Sequence, residues 1–513
     1  MSERLLKSTA IVSLMTFLSR ILGFVRDIVI ARMFGAGVGA DVFFVAFKIP
    51  NFLRRLFAEG AFSQAFIPVL AEYKELGEKP LRQLIAQTTG TLGVILMAVT
   101  AIGIFASPLL IMAFAPGFST DPQKYQLATE LLRITFPYLL FISLTALAGA
   151  ILNSFSRFAV PAFTPVFLNL SLIGGALFLS PIMDEPVKAL AWGVFVGGIV
   201  QLLFQLPFLL GIKKLPRPRW GWKSDGVRKI TRLMLPAMFG VSVSQINLLI
   251  DTLLASLLVT GSISWLYYSD RLVEFPLGVF GIALSTVILP SLSKKHANQS
   301  TVAFSHTIDW ALRWVFLIST PAALGLMILA EPLLLTLFQY GAFSVSDAHN
   351  ASLSLIAYGA GLLPFVLIKV LAPGYFARQD TKTPVKIGVI AMISNMLLNI
   401  ILMQFLAHAG LALATSLSAL LNAGLLYLGL RKKQVYTPNR GWLLFFLRLS
   451  IANLGLLAFL LYFNADSSVW AGWTATQRYQ QLILLIAVAI IVYFVLLRLM
   501  GIRLKTILRP LTS

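Results

Sequence analysis

Runs of about twenty apolar residues, each long enough to cross the roughly 30 Å hydrocarbon core of a bilayer as a helix, follow one another along nearly the whole chain. The runs fall near 8–33, 40–58, 84–114, 125–152, 159–181, 186–210, 233–259, 265–293, 308–338, 350–376, 385–406, 409–430, 441–463 and 479–500. Short polar loops separate them. The pattern predicts an all-α polytopic membrane protein of about fourteen helices, because a lipid-embedded backbone must satisfy its own hydrogen bonds. The apolar segment 61–73 reads as a continuation of the second span beyond a break near Pro50 and Gly60.

Spacing within the runs carries a second signal, an internal repeat. Asp27, Ala31, Gly37 and Phe44 precede Asp251, Ala255, Gly261 and Tyr268 by 224 positions, and Pro68, Pro161 and Gly149 precede Pro290, Pro384 and Gly374 by 222, 223 and 225. The chain therefore divides into an N-terminal lobe of six helices (1–210), a basic linker (211–232), a C-terminal lobe of six helices (233–432) and two further helices (433–513). Six spans per copy is an even number, so the copies are parallel repeats about an axis along the membrane normal. Such lobes can rock about a central cavity, giving alternating access.

Composition agrees with the pattern. Of 513 residues 58% are hydrophobic and 12% charged, half the charge of a soluble domain. The net charge of +21 comes from 41 basic and 20 acidic side chains. The basic residues gather in alternate loops, such as KELGEKPLR, GIKKLPRPRWGWKSDGVRK and RKKQVYTPNR. That distribution marks the cytoplasmic side, and it is a topology signal rather than a site for nucleic acid or another polyanion. Both termini are expected in the cytoplasm, with an uncleaved start. The chain has no cysteine and no GxxxxGK[ST] run, which excludes disulfides, thiolate metal sites and a Walker-type ATP site.

Charge inside the spans is what the pattern does not explain. A charge at bilayer depth costs about 2.5–3.5 kcal/mol on insertion scales, so such residues face protein or a wet cavity. The first span lines one face with Ser13, Thr16, Arg20, Gly23 and Asp27, with Arg26 on its flank. The second carries Asp41, Lys48, Asn51, Arg55 and Glu59 as a stripe, with Arg54 beside it. Helix 8 adds Ser264, Asp270, Arg271 and Glu274. The four arginines Arg20, Arg26, Arg54 and Arg271 suit a pyrophosphate, because the guanidinium fork binds phosphate with paired donors and stays charged. Asp27, Asp41 and Asp270 would hold the arginines and offset them when the site is empty. The alternative is a set of structural ion pairs with no guest, and Lys48 with Asp41, seven residues apart, is one such pair. A weaker set is Asp251, Asn395, Asn399 and Thr415. One carboxylate with neutral oxygens suits Na⁺ as a coupling ion; a carboxyl neutralised by a proton or by hydrogen bonds is the other reading, and both stay open. No other cofactor is expected.

The run SRILGFVRDIVIARMFGAGVGADVFFVAFKIPNFLRRLFAEGAFSQAFIPVLAEY closely resembles the opening of the MurJ (MviN) family of bacterial lipid II flippases. SWLYYSDRLVEFPLGVFGIALSTVILPSLS, LAPGYFARQDTKTPVKI and the pattern of twelve repeat helices plus two resemble it as well. The resemblance implies a transporter rather than an enzyme, in the bacterial inner membrane. Its cargo would be lipid II, an undecaprenyl-pyrophosphate-disaccharide-pentapeptide, and its other partners membrane lipids and further cell-wall synthesis proteins. It maps Arg20, Arg26, Asp27, Asp41, Arg54 and Arg271 onto cavity residues, with Ser264 nearby, and gives the last two helices a groove for the lipid tail. Some members use Na⁺; here Asn stands where that pattern can carry a second carboxylate.

Two alternatives differ in class. A cation-coupled multidrug or polysaccharide-lipid exporter of the same superfamily shares twelve helices, but a cationic-drug exporter calls for a net negative cavity. A cell-wall scaffold without transport gives no reason for positive charge in both lobes.

Overall fold

The computed structural model describes residues 3–56 and 62–502, and every regular element among them is helical. Nine helices among the described residues are long and apolar enough to cross a membrane, from Glu78–Phe105 to Ala475–Leu499. Val38–Arg54 and Ser262–Pro276, with 17 and 15 residues, are too short to belong to that set. Both carry charged side chains among apolar ones, Asp41 and Lys48 in the first and Asp270 and Arg271 in the second, a cost that demands a functional reason.

Local chemistry shapes the helix ends. Pro50 lies inside Val38–Arg54, so the expected break there is absent; Gly60 and Glu59 lie outside the described residues. The segment after them is a helix of its own, Ser63–Glu75. Several expected spans are broken rather than straight: Pro122–Thr135 gives way to Tyr138–Ser154 at Pro137, and Thr301–Ile328 to Ala330–Leu337. The stretch Lys382–Lys432 reverses at Ala407, whose φ of 47° and ψ of −128° are non-helical. Next to that turn a Cβ on Gly410 would stand 2.4 Å from the Leu402 carbonyl oxygen, so only glycine fits.

The chain forms two compact units, 1–264 and 265–513. The first is centred on Phe66 and Leu70 from Ser63–Glu75, Leu84 from Glu78–Phe105 and Ile151 from Tyr138–Ser154, all buried. Asp225–Ser256 packs on Ser63–Glu75, which places it with this unit, although the repeat pairs it with Glu3–Phe34. Both of those helices have 32 residues. Each is followed by a glycine in the left-handed region, Gly35 at φ 61° and Gly261 at φ 100°.

In the second unit Val345–Phe376 packs along both Thr301–Ile328 and Lys382–Lys432. The last two long helices, Trp442–Phe463 and Ala475–Leu499, pack on each other and join the unit through hydrogen bonds. Tyr493 donates to the Leu317 carbonyl at 2.7 Å, and buried Arg478 donates to the carbonyls of Leu335 (3.0 Å) and Ala471 (2.7 Å) and to Gln339 (2.5 Å). Leu335 and Ala471 lie in the last turns of two short helices, where the dipole favours a cation.

The loop after Phe376 is tied down by Asp380, which accepts hydrogen bonds from Lys433 at 2.7 Å and from the Thr383 hydroxyl and amide at 2.8 and 3.0 Å. Lys433 first, then Thr383, holds the Asp380 carboxyl down at about 2, against an ordinary 3.8. A depressed carboxyl stabilises the fold above its unfolded value and loses that contribution as pH falls through the folded one. The tie is therefore expected to be intact above pH 4 and to be released on acidification toward pH 2. Hydrogen exchange of residues 377–383 measures this; in Asp380→Asn, exchange would already be fast at neutral pH.

Candidate functional site

The first helix brings its charge into the unit at Arg26 and Asp27. Both are buried, in a stretch otherwise made of Ile, Val, Phe and Gly. The Arg26 guanidinium donates from Nε (2.9 Å) and Nη2 (2.7 Å) to Asp27 Oδ1, and from Nη1 to Asn169 Oδ1 at 3.0 Å. Asn169 in turn donates to the Ser19 carbonyl at 3.1 Å. An amide from Pro165–Gly174 thus fixes the plane of the arginine fork, and Asp27 balances its charge. Close packing makes this possible: a Cβ on Gly23 would touch Asn169 at 3.6 Å. Asn169 escaped the sequence reading, although a lone amide in the apolar run 159–181 is itself an intramembrane polar signal.

Arg20 lies two turns earlier, exposed, with no hydrogen bond or ion pair among the described residues. Ser13 and Thr16 are exposed on the same stripe. In the second helix Arg54 donates from Nε to Asn51 Oδ1 at 2.8 Å. Lys48 and Arg55 are half-buried and partnered.

Asp41 departs from expectation: it holds no arginine and does not pair with Lys48. Its Oδ1 accepts from the Ser264 hydroxyl at 2.6 Å and the Ser264 amide at 3.0 Å, and its Oδ2 from the Gly261 amide at 2.7 Å. Lys124 Nζ stands 3.9 Å from Oδ2 and also donates to Thr260 at 3.2 Å. The physical reason is the turn at 261–264. Its amides open the helix Ser262–Pro276 and lack intrahelical partners, so a carboxylate there meets several donors and the positive end of a dipole. Lys124, between the apolar runs 84–114 and 125–152, is buried with its ammonium 4.4 Å from the Phe118 ring.

In the second unit Arg271 donates to Glu274 at 2.7 Å and to the Tyr267 hydroxyl at 3.2 Å, with its guanidinium 5.0 Å from the Tyr267 ring. The side chain is about a third exposed. Asp270, half-buried, is also partnered. The structure thus pairs Arg271 with one of its expected neighbours and adds an aromatic face.

Asn395, Asn399 and Thr415 come together, fully or largely buried. Asn399 donates to Asn395 Oδ1 at 2.9 Å, and Asn395 donates to Thr415 at 3.3 Å and Ser418 at 3.4 Å. The Asn395 amide oxygen and the Thr415 hydroxyl accept from within the set, while the buried Asn399 Oδ1 accepts no hydrogen bond from the described residues. Among the described residues no cluster of three His, Asp or Glu is placed to hold a metal. Asp251 belongs to the first unit.

The last helices meet the second unit around Asp309, which is completely buried. Its Oδ1 accepts from Tyr436 (2.9 Å), the Asn439 amide (3.0 Å) and Trp442 Nε1 (2.7 Å), and its Oδ2 from Arg313 (2.9 Å). An apolar cavity of about 350 Å³ opens beside it, lined by Leu312, Phe316, Tyr427, Trp442 and Phe446 among others.

Helices long and apolar enough to cross a membrane, with a buried arginine paired to a buried acid, describe a polytopic membrane protein. The fold has solved counterparts. Transporters of the multidrug resistance MATE family, in the MOP superfamily, share it in inward-facing (TM-score 0.69, 11% identity, 81% of this chain and 94% of that one) and outward-facing form (0.55, 12%, 84% and 96%). A solved lipid II flippase MurJ in an inward closed conformation aligns with TM-score 0.81 and 29% identity, over 94% of this chain and 97% of that one. The chain belongs to the MurJ family, whose model, described as lipid II flippase MurJ, matches residues 30–496. The probable lipid II flippase MurJ of Vibrio cholerae is 55% identical over 98% of both chains. The lipid II flippase MurJ of Burkholderia cenocepacia is 44% identical over 97% of this chain and 98% of its own.

Proposed function

We propose that this protein flips lipid II from the cytoplasmic to the periplasmic leaflet of the bacterial inner membrane by alternating access, with cavity arginines binding the pyrophosphate. The observation that carries the proposal is Arg26, a buried guanidinium oriented by Asp27 and Asn169 within an apolar helix, in a chain of the MurJ family. Moving a disaccharide-pentapeptide through hydrocarbon leaves many polar groups unsatisfied, at several kcal/mol each. A protein path with fixed cations removes that barrier for the head group, and the undecaprenyl tail can stay in apolar surroundings. The cavity beside Trp442 and Phe446 supports the reading of the last two helices as a groove for that tail.

Arg271 is the contribution of the second unit. Glu274 and the Tyr267 ring hold its guanidinium in place while leaving it partly exposed, so it can exchange Glu274 for phosphate. The test is a proteoliposome assay in which lipid II reaching the outer face is labelled by an impermeant reagent. Arg271→Ala is expected to cut the rate at least tenfold, one charge-assisted hydrogen bond being worth about 1.5–3 kcal/mol. Lipid II movement by Arg271→Ala at the parent rate, or none by the parent, would overturn the proposal.

A further inference from the structure

Residues 213–224 form a strap without regular secondary structure, laid along the helix Glu78–Phe105. Two backbone contacts pin it: the Arg219 amide donates to the Ala86 carbonyl at 3.0 Å, and the Gly221 amide to Thr91 Oγ1 at 3.0 Å. Glycines permit the approach. A Cβ on Gly90 would stand 2.3 Å from the Arg219 carbonyl oxygen, and one on Gly221 would stand 2.5 Å from Gln87 Cβ. The ends are tied by ion pairs, Lys214 with Glu78 and Lys229 with Glu72.

Pinning fixes the depth. Arg82 is the last charged residue of that helix, and residues 83–105 carry none. The strap is held at residues 86–91, about 6–14 Å beyond Arg82 at the helical rise. A helix whose charge-free stretch 83–105 crosses the hydrocarbon carries that level at or near the headgroup–hydrocarbon boundary, where indoles concentrate. There Trp220 and Trp222 stack, 6.4 Å between centroids and 14° between planes, and yet remain 61% and 47% exposed. Arg217, Arg219 and Lys223 are exposed around them, and residues 213–224 contain no Asp or Glu. Positive-inside topology accounts for the charge; it does not account for two solvent-facing indoles fastened at this level.

We propose that this strap is a docking site for acidic glycerophospholipids, with the indoles seated at the boundary and Arg217, Arg219 and Lys223 on headgroup phosphates. Phosphatidylglycerol is the expected occupant. The complementarity is direct, since guanidinium and ammonium groups pair with phosphate and indole N–H groups add donors. A basic side chain at a charged leaflet is worth about a fivefold enrichment. The strap is held by its backbone, so changing these side chains leaves it in place.

The experiment uses the full-length protein in nanodiscs containing lipids brominated near the headgroup end of the chain, which quench nearby indoles. The Trp220 and Trp222 emission is the difference between parent and W220F/W222F. Brominated phosphatidylglycerol is expected to quench that emission several-fold more than brominated phosphatidylcholine at equal mole fraction. In R217Q/R219Q/K223Q, checked for an unchanged unfolding temperature, the two lipids should quench alike. The proposal is overturned if neither lipid quenches, if the triple variant keeps the preference, or if undecaprenyl pyrophosphate displaces phosphatidylglycerol and is thereby the true occupant.

Discussion

Replacing Arg26 with alanine is expected to lower lipid II transport by at least about tenfold, a larger loss than removing any single neighbour. In a buried setting the guanidinium donates twice to Asp27 and once to Asn169. Charge-assisted bonds of this kind are worth about 1.5–3 kcal/mol each. Breaking a buried pair also destabilises, by about 3–5 kcal/mol, so transport must be separated from folding. The double variant R26Q/D27N does this, because it removes both charges at nearly constant shape. It should unfold close to the parent temperature and still fail to transport. Asn169→Ala keeps the cation and loses only its orientation, so its defect should be smaller, and Arg26→Lys should fall between because ammonium lacks the planar fork. A folded R26Q/D27N that moves lipid II at the parent rate would remove Arg26 from the binding machinery.

Much of this protein was legible as pattern. Apolar runs located the long helices because lipid enforces a length and forbids unsatisfied backbone. The repeat was visible because glycines and prolines recur at nearly fixed distances, but backbone conformation is not part of that signal: Gly261 is left-handed at φ 100°, whereas Gly37, 224 positions earlier, is extended at φ −84°. The charged cluster announced itself by cost alone. Helix periodicity also placed Arg26 and Asp27 on different parts of one helix, yet adjacent long side chains can fold onto each other, and these two do.

Partners distant in sequence were not legible. Nothing in the run around Asp41 indicates that its carboxylate meets the amides of Gly261 and Ser264, since backbone donors have no sequence signature. Asn169, Lys124 and Asp309 were missed for the same reason: their meaning lies in what faces them across the fold. Pro50 misled in the opposite direction. Proline is a helix breaker by rule, and here the helix simply continues through it. The polar set at Asn395 shows the same limit from another side. Spacing put the right residue types on one pair of helices, and packing turned them toward each other.

Asp309→Ala is expected to produce the largest loss of stability in the second unit, about 3–5 kcal/mol. Four donors converge on this carboxylate: the Tyr436 hydroxyl, the Asn439 amide, the Trp442 indole and the Arg313 guanidinium. Two of them belong to the connection that leads into Trp442–Phe463 and a third is that helix's first residue, so one side chain fastens the last two helices to Thr301–Ile328. Removing it strands an indole, a phenol and a backbone amide in a buried site and leaves Arg313 over the Trp442 ring without its acid, 4.9 Å away. Burial, and next Asp309 itself, push the Tyr436 phenol above its ordinary value, so it remains a donor at all physiological pH. Asp309→Asn keeps one acceptor oxygen and the shape, and should cost less. Thermal unfolding and protease cleavage within 433–441 measure the effect. Because the apolar cavity is lined from both sides of this joint, by Leu312 and Phe316 and by Trp442 and Phe446, the alanine variant should also lose lipid II transport in proportion to the fraction cleaved. A variant with the parent's melting temperature and protease resistance would show that the last helices are held by packing alone, through Tyr493, Arg478 and their apolar neighbours.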